Sequence, residues 1–194
     1  MKKAMYVILV MTLLVLGVGC SSLKIFQAGS SALPNGFKAV PNKAIVYSEF
    51  DSYYMFRPSF TTFISKNEYN QLFLDVLKGK GNEKYIRLQS AMIDVSIDKF
   101  DKVVLKNDKN QIFEVFIDET GRKVDKKHKF IQGQQILLPS QISEITNFVN
   151  NSNLIKGYFV NQEKEIEIPT PAKVAEEMKI MLDFYSNDVD KFNK

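Results

Sequence analysis

The stretch from Ser65 to Gly79, SKNEYNQLFLDVLKG, decides how the fold is read. Ser65 and Glu68 stand three apart. That spacing matches a capping box, in which hydroxyl and carboxylate each satisfy an orphan amide of a first helical turn. Tyr69, Leu72, Phe73, Val76 and Leu77 then recur at helical spacing, and Gly79 and Gly81 supply a stop. The reading is a short amphipathic helix, and with it a domain in which helices lie on a sheet.

Outward from this stretch the period changes. On its N-terminal side, Ala44 to Phe50 (AIVYSEF) and Ser52 to Ile64 (SYYMFRPSFTTFI) are aromatic and β-branched runs that read as strands, with Pro58 at an edge or break. On its C-terminal side, Tyr85 to Ile97, Lys102 to Lys106 and Gln111 to Asp118 are further strands. Asn107 to Asn110 turns the last two into a hairpin. Asp118-Glu119-Thr120-Gly121 reads as a turn, with Gly121 free to take positive φ, before another meander strand at Arg122-Lys123-Val124. Pro139-Ser140 opens a second helix with Ile142, Ile145, Phe148 and Val149 on one side. Leu154 to Gln162 returns as a strand, and Glu163 to Ile168 alternates charged and apolar side chains. Thr170 and Pro171 read as N-cap and first residue of the longest helix, striped by Val174, Met178, Met181, Leu182 and Tyr185. The polar tail from Ser186 is expected to fray. The sum is an α+β domain, mainly an antiparallel sheet with about three helices packed against it.

The first residues have a different character. Lys2 and Lys3 precede a run from Ala4 to Gly19 with no charge, the order of a secretory signal peptide. A spanning helix needs roughly 20 apolar residues, and this run is shorter and ends in small ones. The chain's sole cysteine follows at once, in Leu16-Gly17-Val18-Gly19-Cys20. This segment resembles the lipobox of bacterial lipoproteins. The resemblance implies a diacylglycerol on the Cys20 sulfur, cleavage before Cys20, and acylation of the new amino group. Residues 1–19 are then the signal peptide, 20–36 a lipidated flexible tether rich in Ser, Gly and Ala, and 37–194 a single domain. A lone thiol in a secreted chain has no internal disulfide partner, and acylation removes that liability. Ser21 follows the cysteine where some Gram-negative lipoproteins carry an inner-membrane retention aspartate. The expected location is therefore the outer membrane facing the periplasm, with the cell surface or inner membrane as alternatives.

Composition narrows the function. The chain carries 26 basic and 22 acidic side chains. Loss of Lys2 and Lys3 leaves 24 against 22, a balance of +2. No polybasic stripe recommends nucleic acid; Arg122 to Lys129 reads as a solvated loop, with His128, the one histidine, in it. About 175 residues after Cys20 suffice for one domain and are too few for two lobes closing over a solute. With Cys20 committed to lipid, no thiol nucleophile remains, and a histidine-rich zinc site cannot be built. No nucleotide, nucleophile-elbow or calcium-loop motif is present. Neither a catalytic residue nor a metal or other cofactor is assigned.

Two sets of residues stay in view. Glu49 with Asp51, and Glu163 with Glu165 and Glu167, are the carboxylate pairs a glycan or peptide hydrolase would need; an exposed charged strand face has the same spacing. Tyr53, Tyr54, Met55, Phe56 and Arg57 are the candidate interaction surface, since Tyr, Met and Arg favour interfaces. Strand alternation places Tyr53, Met55 and Arg57 on one face and Tyr54 and Phe56 on the other. The expectation is a lipid-anchored envelope protein with a non-catalytic binding or structural role, an accessory component with an envelope protein partner. The alternatives are an envelope hydrolase and a module for a small apolar ligand.

Overall fold

The computed structural model describes residues 36–59, 71–93, 95, 97, 99–162, 164–170 and 172–192. Along the chain run β1 (Phe37–Ala39), β2 (Ile45–Glu49), β3 (Tyr53–Pro58), β4 (Gln71–Gly79), β5 (Lys84–Ile93), β6 (Lys102–Asn107), β7 (Ile112–Phe116), β8 (Arg122–Asp125) and β9 (Phe130–Ile136). Then come α1 (Pro139–Asn150), β10 (Ile155–Val160), β11 (Glu165–Ile168), α2 (Val174–Asn187) and a 3-10 turn, Val189–Lys191. Every strand pairing is antiparallel. One sheet has seven strands in the order β1-β2-β3-β4-β5-β9-β8, and the other four in the order β11-β10-β6-β7.

This architecture overturns the expected α+β domain of one sheet under about three helices. The described residues form a mostly β protein of two sheets with two α-helices. The helix expected from Ser65 is the point of departure. Its capping box and Tyr69 lie outside the described residues, and its apolar part, Gln71–Gly79, is β4, the middle strand of the larger sheet. The run from Leu72 to Leu77 fits a period of two as well as 3.6 because it is buried on both faces, which makes a strand read as almost continuously apolar. Leu72, Leu74 and Val76 face the core opposite Ser90, Leu88 and Ile86 of β5, while Phe73, Asp75 and Leu77 point the other way.

The chain alternates between sheets. After β5 it makes the β6–β7 hairpin of the second sheet, returns with β8–β9 to lie beside β5, and passes through α1 to β10–β11. The second sheet approaches closely where Gly157 in β10 meets Leu72: a Cβ there would stand 2.6 Å from a Leu72 methyl. Both helices complete the core. Phe148 of α1 meets Phe113 of β7 at 6.1 Å between ring centroids, and Phe184 of α2 meets Phe56 of β3 at 4.8 Å. The stripe expected on the last helix is seen in Val174, Met178, Met181 and Leu182, all buried, with Tyr185 half-buried.

Three local expectations change. The last helix starts at Val174 and not at Pro171; the Thr170 hydroxyl donates to the Ile155 carbonyl across the chain, so it does not cap that helix. Gly121 is not at positive φ. Glycine is needed there because a Cβ would stand 2.0 Å from the Gln134 carbonyl oxygen, whose own amide donates to the Gly121 carbonyl. The tail, as far as Phe192, does not fray. Val189 is fully buried, and Phe192 packs at 4.8 Å from both Tyr47 and Phe56. Lys78, itself buried, donates to the carbonyls of Val189 (3.1 Å) and Phe192 (2.9 Å), and Lys84 to that of Tyr185. Cations placed on the orphan carbonyls at a helix C-terminus are electrostatically favoured.

Candidate functional site

Strand alternation divides the five residues read as an interaction surface. Tyr54 and Phe56 belong to the core under α2, whereas Tyr53, Met55 and Arg57 lie on the opposite face of the seven-stranded sheet. Val46, Met55, Phe73 and Ala91 are buried on that opposite face and stand outside the main core.

A charged cluster sits among them. Antiparallel register sets Asp75 of β4 directly across from Arg87 of β5, and Phe73 across from Gln89 and then Gln134. Asp75 is fully buried. Arg87 grips it with two bonds, Nε to Oδ1 at 3.1 Å and Nη2 to Oδ2 at 2.7 Å, and Gln89 adds a third at 3.2 Å. Gln134 accepts from Arg87 Nη1 at 3.3 Å. These partners hold a planar fork in one geometry, the usual way an Arg–carboxylate pair gains specificity.

Arg57 is different. Its Nε lies 3.7 Å from Asp75 Oδ2, beyond hydrogen-bond length, and is buried with no hydrogen-bond partner. The guanidinium stands over the Phe73 ring at 5.6 Å, and 26 % of the side chain is exposed. Burial lowers its pKa, Asp75 opposes that, and the Arg87 charge adds to the lowering. An arginine starts so high that it keeps its proton at neutral pH. Two guanidinium charges therefore share one carboxylate, and the group carries a net charge of +1. Arg122, the other arginine with an unpartnered buried Nε, is held otherwise: its Nη2 donates to the Ile117 carbonyl at 2.7 Å.

The carboxylate pairs do not form an acid–base centre. Glu49 is exposed and within 3.9 Å of both Lys38 and Lys80; Asp51 is exposed. On the solvent face of the smaller sheet, Glu165 pairs with Lys106 at 2.6 Å and Glu167 with Lys156 at 3.0 Å. The Glu163 side chain lies outside the described residues, as do Cys20 and the lipobox. Each described acid thus has its own lysine or open solvent, the pattern of a charged strand face that resists edge pairing. His128 is no solvated loop residue: its side chain is 16 % exposed, and Nδ1 lies 2.8 Å from Asp125 Oδ2. Among the described residues no three His, Cys, Asp or Glu side chains gather as metal ligands would, and no helix is long and apolar enough to cross a membrane.

Sequence reasoning found Arg57 but missed Asp75, Arg87, Gln89 and Gln134. An aspartate inside an apolar run was the available signal.

Four other carboxylates report on acid stability. Asp125 is held below its ordinary range chiefly by the His128 hydrogen bond, Asp108 by the Asn153 amide, Asp118 by the Thr120 hydroxyl, and Asp188 by Lys43. A carboxylate with a depressed folded-state pKa stabilises fully above the unfolded value of 3.8, and that contribution is lost as pH falls through the folded value. The urea midpoint is therefore expected to hold between about pH 5 and 7 and to drop below about pH 4. Asp108→Asn is expected to make the acid limb shallower. An unchanged limb would assign acid lability to other groups.

No protein-family model, curated protein or solved structure matched the chain.

Proposed function

We propose that this protein is a lipid-anchored component of a bacterial cell envelope that works by binding a protein partner, not by catalysis. The anchor is Cys20, on the resemblance of Leu16 to Cys20 to a lipobox. Two or three acyl chains would exceed the single chain that gives only marginal membrane binding. The observation that carries the binding role is the face of the seven-stranded sheet remote from α2. There, partly exposed Tyr53 and Arg57 flank buried Met55 and Phe73, and two arginines answer to one carboxylate. Partly exposed Tyr and Arg side chains with a charge in excess are the materials of an interface.

The test is crosslinking in the native host and affinity capture of the tagged full chain, with Cys20→Ala as control. The expected result is one stoichiometric envelope partner, depleted at least several-fold in the control, together with globomycin-sensitive incorporation of labelled palmitate. Capture of no partner by a lipidated protein would overturn the binding role. Failure to incorporate palmitate would overturn the anchor.

A further inference from the structure

The chain has many lysines, and its arginines are Arg57, Arg87 and Arg122 alone. Two of these stand on one sheet face around a single acid. Arg87 makes full use of it. Arg57 is left with a contact too long for a hydrogen bond and with a buried Nε that no protein acceptor satisfies. A buried polar group without a partner costs the full desolvation of that group, and more when it is charged. Such a group in a folded protein calls for an explanation.

Charge and shape specify what this position accepts. Asp75 offsets one guanidinium, so the group is neutralised by one further negative charge; a dianion would reverse its sign in surroundings that include Met55 and Phe73. A guanidinium presents its donors as a flat fork that fits a carboxylate with two parallel bonds. The same cluster contains that fit in the Arg87–Asp75 pair. A phosphodiester is also singly charged, but a polyanionic surface is met by several cations at once. Among the described residues, the other polar side chains seen bonded to this cluster are Gln89 and Gln134, both neutral.

We propose that Arg57, braced beside the Arg87–Asp75 pair, receives one Asp or Glu side-chain carboxylate from the partner polypeptide, entering where the Arg57 side chain is exposed. Tyr53, on the same face of β3 beyond Met55, is half-buried and stacks on Phe50 at 4.6 Å, an aromatic surface for the incoming chain. The site deepens the binding role proposed above and rests on it.

The full chain in detergent, labelled with 15N-arginine, gives one Nε–Hε signal for each of its arginines, assigned by replacing them singly. Acetate is titrated as the minimal carboxylate and dimethyl phosphate as the minimal phosphodiester, at constant ionic strength. The expected result is a saturable shift of the Arg57 and Arg87 signals with acetate, a still Arg122 signal, and at least tenfold weaker response to dimethyl phosphate. In Arg57→Gln the Arg87 shift is expected to vanish, and partner capture to fall at least tenfold, while Arg57→Lys retains part of both. If all the arginine signals drift together without saturating, the site binds adventitious ions only and the proposal is overturned. Stronger saturation by dimethyl phosphate overturns it in favour of a phosphodiester. If Arg57→Gln captures the partner as well as the parent does, the binding role stands and this site falls. If no partner is captured although acetate saturates, the binding role falls and the carboxylate site remains as one for a free acid.

Discussion

Replacing Asp75 with alanine is expected to lower the free energy of unfolding by about 3–5 kcal/mol, the range for removing one partner of a buried ion pair. The loss exceeds that of an ordinary surface salt bridge because Asp75 is fully buried and accepts three hydrogen bonds, from Arg87 and Gln89. Without it, Arg57 and Arg87 repel one another on a face that keeps Met55, Phe73 and Ala91 from water. With a urea dependence of about 2 kcal/mol per molar, the midpoint should fall by about 2 M. The triple replacement Asp75→Leu, Arg57→Met, Arg87→Met should recover much of this, since it removes all of the charges together. A single-variant loss under about 1 kcal/mol would mean that the arginines rehydrate, and the cluster would then be a surface network.

Contrast between those arginines explains why the cluster is there. Pairing Arg87 with Asp75 alone would have satisfied the acid, and an apolar residue at 57 would have spared the sheet an unsatisfied nitrogen. Arg57 has the longer contact to Asp75 and a side chain that is 26 % exposed, which is why the proposed carboxylate site is placed at Arg57 and not at Arg87.

The helical reading of Ser65 to Gly79 shows which parts of the fold the residues reveal unaided. Where a segment is buried on one side, its period is unambiguous: β7, the α1 stripe of Ile145, Phe148 and Val149, and the α2 stripe all stand where the pattern puts them. β4 is buried on both sides, so its period carries no choice between strand and helix, and Gly79 ends either one. The arrangement into two sheets was hidden for another reason. β5 pairs with β9 across the whole β6–β7 hairpin, and such non-local pairing leaves no mark on either segment alone. The same holds for the site. Arg57, Asp75 and Arg87 stand on three successive strands and are brought together by the register of those strands. What local sequence did contain was Asp75 itself, a charge in the middle of LFLDVL that a helix would have turned to solvent and a two-sided strand has to pair. The packed tail was missed similarly, since the lysines that hold it are Lys78 and Lys84, a hundred or more residues earlier.

Phe56→Ala is expected to cost about 3–5 kcal/mol, the usual range for truncating a fully buried phenylalanine. Phe56 is completely inaccessible, and its ring meets Tyr47 at 5.9 Å, Tyr54 at 6.4 Å, and Phe184 and Phe192 both at 4.8 Å. It therefore joins three parts of the molecule: the β2–β3 end of the large sheet, α2, and the segment after α2. Loss of the ring opens a cavity where these meet, and the lost edge contacts add to the transfer cost. Arg57, the next residue, faces the other way, and its replacement by Gln removes a charge in excess, so the two neighbours should separate cleanly in experiment. Phe56→Ala should move the urea midpoint by about 2 M. Arg57→Gln should leave that midpoint level or raised and abolish the acetate response. Equal loss of stability in both variants would mean that the two faces of β3 serve one core, and the face carrying Arg57 would no longer qualify as a surface for a partner.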